Sequence, residues 1–324
     1  MKKVFILVPE AAVPACVSGS KYLFIEANNI LKEQGNPPLF DIKLVGESTY
    51  MGVHDESFYV VTDYTLHNSG NADLVIIPPT RGDIQSCLAI NEKCLPWIID
   101  QHDNGAEIAS LCIGAFLLAS TGLLDGKKCS THWAFYDQFR EQFPRVDIVD
   151  GAIITEHNGI YSSGGANSFW NLLLYILEKY TNRELAIKAS KYFAIDIDRK
   201  SQSQFMIFQG QKDHSDTEIK KIQNFIESQF HRKITVEELA SKVSISRRTF
   251  ERRFKNATGN TAIHYLQRVK VEAAKRSLES SRKNISEVMY DVGYNDNKAF
   301  RSVFKKITGL TPIEYRNKFQ KITN

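Results

Sequence analysis

The fold of the C-terminal part of the chain is decided by residues 235–261, which read TVEELASKVSISRRTFERRFKNATGNT. Residues 284–311 repeat this pattern with one extra residue in the turn, and they read NISEVMYDVGYNDNKAFRSVFKKITGLT. Beyond the turn the two copies share identical residues in register: Phe250 and Phe300, Phe254 and Phe304, Thr258 and Thr308, Gly259 and Gly309. A repeat that keeps its register over this length indicates two copies of one structural unit.

Each copy predicts two helices separated by a short polar turn. A capping box, Thr235 with Glu238 or Asn284 with Glu287, marks the start of the first helix. The paired phenylalanines lie four residues apart, so both face one side of the second helix, which a glycine ends. Apolar residues at helical spacing over 262–278 predict one long connecting helix. This arrangement is typical of helix-turn-helix units, in which the second helix enters the major groove of DNA.

The charge of the chain is divided unevenly between its two parts. Residues 216–324 hold 23 Lys and Arg against 12 Asp and Glu, whereas residues 1–215 hold 18 against 25. An excess of positive charge in one part is the electrostatic footprint of binding to a phosphate backbone, although it also suits a solvated surface. We therefore expect double-stranded DNA as a partner of the C-terminal part.

Composition excludes several other classes of protein. No apolar run is long enough to span a bilayer, and the short apolar stretch near Met1 predicts a strand rather than a signal peptide. The five cysteines are odd in number and lack CxxC spacing, so neither a disulfide framework nor a zinc site is indicated. We expect a protein of the reducing cytoplasm, without metal or cofactor and without a membrane partner.

The outward positions of the two second helices supply the candidate DNA contacts. They are Arg247, Arg248, Glu251 and Arg252 in the first unit, and Asn297, Lys298, Arg301 and Ser302 in the second. Arginine can pair with guanine and asparagine with adenine, although such side chains can also merely keep a helix soluble. Because the first unit is richer in arginine, we expect it to dominate affinity and the second unit to refine sequence choice.

The C-terminal part closely resembles the AraC/XylS family of regulators. The resemblance covers about a hundred residues and includes Val292-Gly293-Tyr294, the paired phenylalanines, Gly309, Pro312 and Tyr315. It implies an all-α domain of two helix-turn-helix units that are held by a linking helix and read successive major grooves. It also implies an activator or repressor of transcription, for which RNA polymerase is a candidate partner.

The N-terminal part, which we place at residues 1–208, alternates strand-like and helix-like runs. The strand-like runs are residues 4–8, 42–45, 60–61, 74–77 and 108–111, and the helix-like runs are 22–32 and 94–103. This alternation predicts an α/β sandwich with a mostly parallel sheet, whose ligand sites lie beyond the carboxyl ends of the strands. The polar residues 209–216 are interpreted as a linker, and residues 217–324 as the DNA-binding domain.

One predicted strand end carries a cysteine. Residues 109–119 read ASLCIGAFLLA, a strand that turns sharply into an apolar helix with Cys112 at the bend. A thiol at a helix N-terminus is favoured as thiolate, although cysteine is also a common buried apolar residue. Further along the chain, His132 is a candidate base, although a histidine before a tryptophan is often simply packed.

Together with residues 161–166, which read YSSGGA and enter an apolar helix over 169–180, these residues resemble the PfpI-like domains of the class I glutamine amidotransferase superfamily. Such domains ahead of an AraC-type module form an amidase-type, GlxA-like subgroup, which residues 191–193 and 202–205 also resemble. The resemblance implies a flavodoxin-like sandwich, a homodimer, and Cys112 and His132 in the positions of nucleophile and base.

The sequence departs from the enzymatic pattern at two places. Residues 11–16 contain no acid to support the cysteine, and Glu10 comes too early. Residues 78–82, PPTRG, stand where a glycine pair usually offers backbone amides, and proline has none to offer. Cys112 and His132 therefore form a candidate pseudo-site, and we predict no enzymatic activity.

Three hypotheses remain for the N-terminal domain. In the first it senses a small molecule, dimerises, or both without catalysis, and the ligand-binding residues are Thr80, Arg81, Cys112, Ile113, His132 and Gly165. In the second, Cys112 is the nucleophile of an amidase or hydrolase. In the third, Cys112 is a thiol sensor of oxidants or electrophiles. The missing acid and glycine-rich loop favour the first hypothesis over the second.

Overall fold

The computed structural model describes residues 1–53, 58–199 and 201–320. The chain forms two compact units, Met1–Gln202 and Ser203–Asn324. The division falls after Gln202, whereas the sequence suggested a boundary after residue 208. Among the described residues, no helix combines the length and the apolar character needed to cross a membrane.

The first unit is built on a seven-stranded sheet in the order β10-β11-β7-β6-β1-β2-β5. All neighbouring strands are parallel except the pair β10 and β11. The strands are β1 Lys2–Leu7, β2 Phe40–Gly46, β5 Tyr64–Thr65, β6 Leu74–Ile77, β7 Glu107–Leu111, β10 Ile154–His157 and β11 Ile160–Ser163. The central strand β6 is buried at every residue, as its sequence LVII requires in a sheet covered on both faces. The predicted, mostly parallel α/β architecture is confirmed.

Helices cover this sheet. They are α1 Pro14–Glu33, α2 Ile84–Ile90, α3 Cys94–Asp103, α4 Gly114–Ser120, α5 Tyr136–Gln142, α6 Phe169–Tyr180 and α7 Arg183–Tyr192. The sequence predicted α3 and α6 at these bounds but started α1 only at Tyr22. The first turns of α1 escaped prediction because proline and small residues interrupt the apolar pattern there. Gly19 lies in close contact with the Trp170 and Phe169 rings, where an added Cβ would come within 3.1–3.2 Å.

The predicted strand at residues 60–61 is not part of the parallel sheet. It belongs to β4 (Phe58–Val61), which pairs antiparallel with β3 (Tyr50–Val53) in a separate ribbon. Tyr59 and Val61 are exposed on this ribbon. A second small ribbon joins β8 (Lys128–Cys129) and β9 (Asp147–Ile148) in parallel.

The second unit is helical. Its helices are α8 Thr217–Gln229, α9 Val236–Lys242, α10 Arg247–Thr258, α11 Ala262–Ser280, α12 Ile285–Asp291, α13 Asn297–Thr308 and α14 Pro312–Phe319. The two predicted helix-turn-helix units are the pairs α9 with α10 and α12 with α13. The predicted connecting helix is α11. α10 and α13 each end at a glycine with positive φ, Gly259 and Gly309.

Each helix-turn-helix unit has its own hydrophobic core. The first is built around Phe250 and Phe254, and the second around Phe300 and Phe304. α11 contributes to both, because its N-terminal half packs into the first core through Tyr265 and its C-terminal half into the second. The long helix therefore holds two separately packed lobes together.

The two predicted capping boxes differ. Asn284 and Glu287 form a complete box at the start of α12. At the start of α9, Thr235 accepts from the Glu238 amide, whereas the Glu238 carboxylate is held mainly by Arg232 and only weakly by the Thr235 backbone amide. The box predicted at Thr235 is therefore weaker than the one at Asn284, since an arginine outside the motif competes for the acid.

Residues 209–216, interpreted from the sequence as a linker, lie against the helices of the second unit. Arg253 donates two hydrogen bonds to the Asp216 carboxylate, at 2.9 and 2.7 Å, and Gln223 donates to the Gln211 carbonyl. Earlier in the chain, the Phe208 amide donates to Glu272 at 3.2 Å. Phe208, Gln211 and Asp216 are thus hydrogen-bonded to helices of the second unit.

Candidate functional site

The two recognition helices, α10 and α13, present the predicted DNA-contact side chains to solvent. Side-chain caps fix where each helix begins, since Ser246 accepts from the Thr249 amide and Asp296 from the Ala299 amide. The paired phenylalanines are buried beneath. All eight predicted DNA-binding residues are exposed, in agreement with the outward face inferred from the sequence: Arg247, Arg248, Glu251, Arg252, Asn297, Lys298, Arg301 and Ser302.

The arginines of the first recognition helix are not equivalent. Arg247 forms ion pairs with Glu251 on its own helix and with Glu237 on α9. Within the described part of the chain, no ion pair holds Arg248 or Arg301. The sequence could not reveal this difference, because Glu237 becomes a neighbour of Arg247 only when the two helices of the unit pack together.

The elbow after β7 has the sharp backbone turn that the sequence indicated. Cys112 has φ 54°, a left-handed conformation that non-glycine residues rarely adopt. Its amide donates to Ser163 Oγ at 3.3 Å, and its carbonyl accepts from Thr131 Oγ1 at 3.0 Å. Gly114 begins α4 where an added Cβ would lie 2.6 Å from the Ile77 carbonyl oxygen, so the helix lies directly on the end of β6.

The Cys112 thiol is buried and protonated. Only 6% of the residue is exposed, and burial raises the pKa of the thiol to about 12, opposed by the Ile113 amide alone. The expected stabilisation of a thiolate by the helix N-terminus is therefore wrong for this conformation, because the cost of desolvating the charge exceeds it. Such a thiol is a poor nucleophile near neutral pH.

His132 is not arranged as a base for Cys112. Its Nδ1 accepts from the Ala134 amide at 3.2 Å, its ring lies against Trp133 and Phe135, and burial lowers its pKa. Among the described residues, no hydrogen bond connects the His132 ring to Cys112. His132 acts here as the cap of a short 3-10 helix.

The two stretches that depart from the enzymatic pattern make contacts of their own. The Glu10 backbone is held by Asn91 at 2.8 and 3.1 Å, and its carboxylate adds to the effect of burial in raising the pKa of Cys94 to about 12. The Arg81 amide donates to the Ala11 carbonyl at 2.8 Å, so it is not available to stabilise an oxyanion. These contacts support the interpretation of a pseudo-site.

The structure divides the six predicted ligand-binding residues into separate places. A narrow cleft is lined by Thr80 and Ile113 together with apolar side chains such as Ile84 and Phe116. Arg81, Cys112, His132 and Gly165 are not among its lining residues. Sequence order alone could not separate these residues, since five of them follow the carboxyl ends of the neighbouring strands β6, β7 and β11, and His132 follows the short strand β8.

Gln202 is the residue at this end of the sheet that the sequence analysis did not single out as part of a site. Its carboxamide is buried among the loops that follow β8, β9 and β11. The two Nε2 hydrogens are shared among three oxygens, those of the Thr131 carbonyl at 2.9 Å, the Ala152 carbonyl at 3.0 Å and the Tyr136 hydroxyl at 2.9 Å. Oε1 accepts from the Trp133 amide at 3.3 Å. In the sequence, Gln202 stood out only as part of residues 202–205, which carry a family resemblance but no assigned role.

Comparisons with known proteins agree with this division into two units. Residues 25–179 match the DJ-1/PfpI family, and residues 239–318 match a helix-turn-helix domain. Among curated proteins, the HTH-type transcriptional regulator ArgR of Pseudomonas aeruginosa is 27% identical over 66% of this chain and 65% of its own length. The HTH-type transcriptional regulator GlxA of Rhizobium meliloti is 22% identical, over 66% of each chain. The matches thus span about two thirds of these relatives.

Among solved structures, a putative transcriptional regulator protein from Vibrio parahaemolyticus superposes with a TM-score of 0.53 at 21% identity. The superposition covers 59% of this chain and 98% of that one. It shows that the two proteins share a fold over that region.

Proposed function

Because the chain joins a DJ-1/PfpI-family domain to an AraC-type helix-turn-helix domain, we propose that it is a transcription regulator that binds specific sequences in double-stranded DNA. The observation that carries this proposal is the pair of capped recognition helices, whose outward faces expose eight polar or charged side chains on the basic part of the chain. The two units are joined by the 19-residue helix α11, which is about 28 Å long.

The test is a binding selection with the full-length protein and a pool of genomic DNA fragments, followed by fluorescence anisotropy on the enriched sequence. We expect enrichment of one motif with two half-sites, and an affinity for it that falls steeply with added salt. A pool that stays unenriched, or binding that is equal for a scrambled sequence, would contradict the proposal.

We further propose that the α/β unit senses a small molecule and does not turn it over. The buried protonated thiol, the capping role of His132 and the use of the Arg81 amide by Ala11 support this. An amide or ester panel assayed with the wild type and Cys112→Ala tests it. We expect no turnover in either protein, whereas activity that is lost only in the variant would establish the enzyme instead.

The remaining parts of the proposal concern assembly and location. A regulator of this kind would act in the cytoplasm as a homodimer and contact RNA polymerase at its promoter. Sedimentation velocity of the full chain tests the dimer, and transcription in vitro from the selected DNA distinguishes an activator from a repressor.

A further inference from the structure

We propose that the recess around Gln202 is a carboxamide-binding site, and that an effector bearing a primary carboxamide binds there by exchanging with the Gln202 side chain. This inference rests on the proposed sensing function and names the ligand class and the place of binding. In the structure described here, the site is filled from within the chain itself.

The contacts distinguish an amide from other groups of similar size. The NH₂ group meets two carbonyl oxygens, of Thr131 and Ala152, and the carbonyl oxygen meets the Trp133 amide. A carboxylate would bring negative charge against those two carbonyl oxygens, and a hydrocarbon would leave all three backbone groups unpaired and buried. The recess therefore selects a planar group with a donor end and an acceptor end.

The backbone around the recess is shaped to the amide. Gly164 and Gly165 form the adjoining wall, and a Cβ at position 164 would overlap Gln202 Nε2. At position 165 an added Cβ would lie 3.4 Å from Gln202 Oε1, and φ is +86°. Any side chain at either position would narrow or close the recess, so the two glycines are part of the site.

Hydrogen-bonding capacity beside the amide is left unused. Ser168 is fully buried, and its hydroxyl has no hydrogen-bond partner among the described residues. This hydroxyl faces the same glycine as Gln202 Oε1, since an added Cβ at Gly165 would lie 2.9 Å from it. The bond from Trp133 to Oε1 is also long at 3.3 Å. A ligand that satisfied Ser168 as well would gain a contact that Gln202 does not make.

The recess is connected to the elbow through one residue. Thr131 offers its carbonyl oxygen to Gln202 and its hydroxyl to the Cys112 carbonyl. His132 and Trp133 follow directly in the chain. Three of the residues predicted from the sequence to bind a ligand, Cys112, His132 and Gly165, thus surround or adjoin the recess rather than the cleft at Thr80.

Exchange at this site would release the end of the α/β unit. Gln202 is the last residue of that unit, and its backbone amide also donates to the Gly151 carbonyl at 2.9 Å. Four residues further along, the Met206 carbonyl accepts from Lys275 within the helical unit. Loss of the Gln202 side-chain contacts would therefore loosen the last residue of the α/β unit.

A chemical-rescue experiment tests the recognition. Gln202→Gly in the full-length protein removes the side chain, and we expect the Tm of the α/β unit to fall by about 5 °C. Acetamide should then raise the Tm of this variant most of the way back to the wild-type value, whereas acetate should not. Gln202→Met fills the recess with a side chain of similar length, so acetamide should give no recovery in this variant. Gln209→Ala, at an exposed glutamine, is the control for a general effect of acetamide.

A second measurement uses the wild type and does not depend on how the variant folds. Hydrogen exchange of the peptide that contains Gln202 should accelerate roughly tenfold in acetamide and remain unchanged in acetate. Equal recovery of the glycine and methionine variants, or no acceleration in the wild type, would overturn the proposal. Both readouts are independent of DNA. A failure of DNA binding would therefore contradict the proposed regulatory function, whereas the carboxamide-binding proposal is judged by these two readouts alone.

Discussion

Arg247 Nε lies 3.1 Å from Glu251 Oε1, one turn further along the first recognition helix, and the Glu237 carboxylate contacts the same guanidinium. The arginine is therefore held by two acids on the surface that we assign to DNA. Phosphate oxygens would have to compete with both carboxylates for it. This arrangement limits the advantage that arginine content alone would give to the first unit.

Neutralising Glu237 should strengthen binding to DNA of any sequence. Glu237→Gln leaves Arg247 with one carboxylate partner, and we expect a gain in nonspecific affinity of about twofold to fivefold with a steeper dependence on salt. Fluorescence anisotropy on a random duplex at several salt concentrations measures both quantities. The double variant Glu237→Gln with Arg247→Ala should lose most of the gain; a gain that persisted there would show that the released charge acts through another residue.

Arg248 and Arg301, which form no ion pair within the described part of the chain, should contribute to sequence-specific binding. We expect Arg248→Ala and Arg301→Ala each to weaken binding to the selected DNA by about 1–3 kcal/mol, because each removes a cation from a groove-facing position. Circular dichroism should show unchanged helix content. Arg145→Ala, an exposed arginine in the α/β unit, is the matched control. Unchanged affinity in both recognition-helix variants would refute the assignment of those faces to DNA.

Stability of the α/β unit should fall in alkaline solution. Burial raises the pKa of Cys16, Cys94, Cys112 and Cys129 to about 12 from an ordinary value of 9.0. Above pH 9 these thiols ionise in the unfolded chain but stay protonated in the folded one, so the unfolded chain gains stability as pH rises towards 12.

Urea melts between pH 7 and pH 10.5 measure this loss. We expect a constant free energy of unfolding up to about pH 8.5 and a decline above it. Cys129→Ala should decline less steeply than the wild type, since it removes one of the four groups. A variant with the same slope as the wild type would show that the thiols do not set the alkaline limit.

The close approach of α4 to β6 should make position 114 intolerant of any side chain. An added Cβ would lie 2.6 Å from the Ile77 carbonyl oxygen and 2.9 Å from that of Pro78, and backbone cannot move aside cheaply. We expect Gly114→Ala to lower the free energy of unfolding by about 1–3 kcal/mol.

Gly35→Ala provides the comparison for that variant in the same urea melts. Gly35 has a positive φ of 79° but nothing within 4 Å of an added Cβ, so its substitution tests backbone strain without crowding. We expect a cost of about 1 kcal/mol there. A smaller effect at position 114 than at position 35 would contradict the packing argument.

Much of the helical unit could be predicted from the sequence because its signals are local. Phenylalanines four apart and terminal glycines lie within one helix or at its end, and they indicated where α10 and α13 lie. The main partner of the Glu238 carboxylate was not predicted, because Arg232 lies before the repeated motif. Contacts made across two helices, such as that of Glu237 with Arg247, have no signature in sequence order.

The α/β unit was predictable in outline but less so in its site. The buried runs of β6 and β7 and the turn at Cys112 are visible in sequence, because burial on both faces and a strand-to-helix turn leave apolar patterns. The ligand-binding residues were predicted only from the rule that sites lie beyond the carboxyl ends of the strands. That rule does not say which of the loops at those ends contact one another. Gln202 reaches its partners in two separate loops through tertiary packing alone.

The two separate cores along α11 affect how the DNA specificity of such a protein can evolve. Because Phe250 and Phe300 pack into different clusters, a substitution on the outer face of one recognition helix leaves the packing of the other lobe untouched. Either half of the DNA target can then be altered while the other half is still read. A duplicated gene could thus acquire a new operator in two steps, each of which retains a partly recognised site.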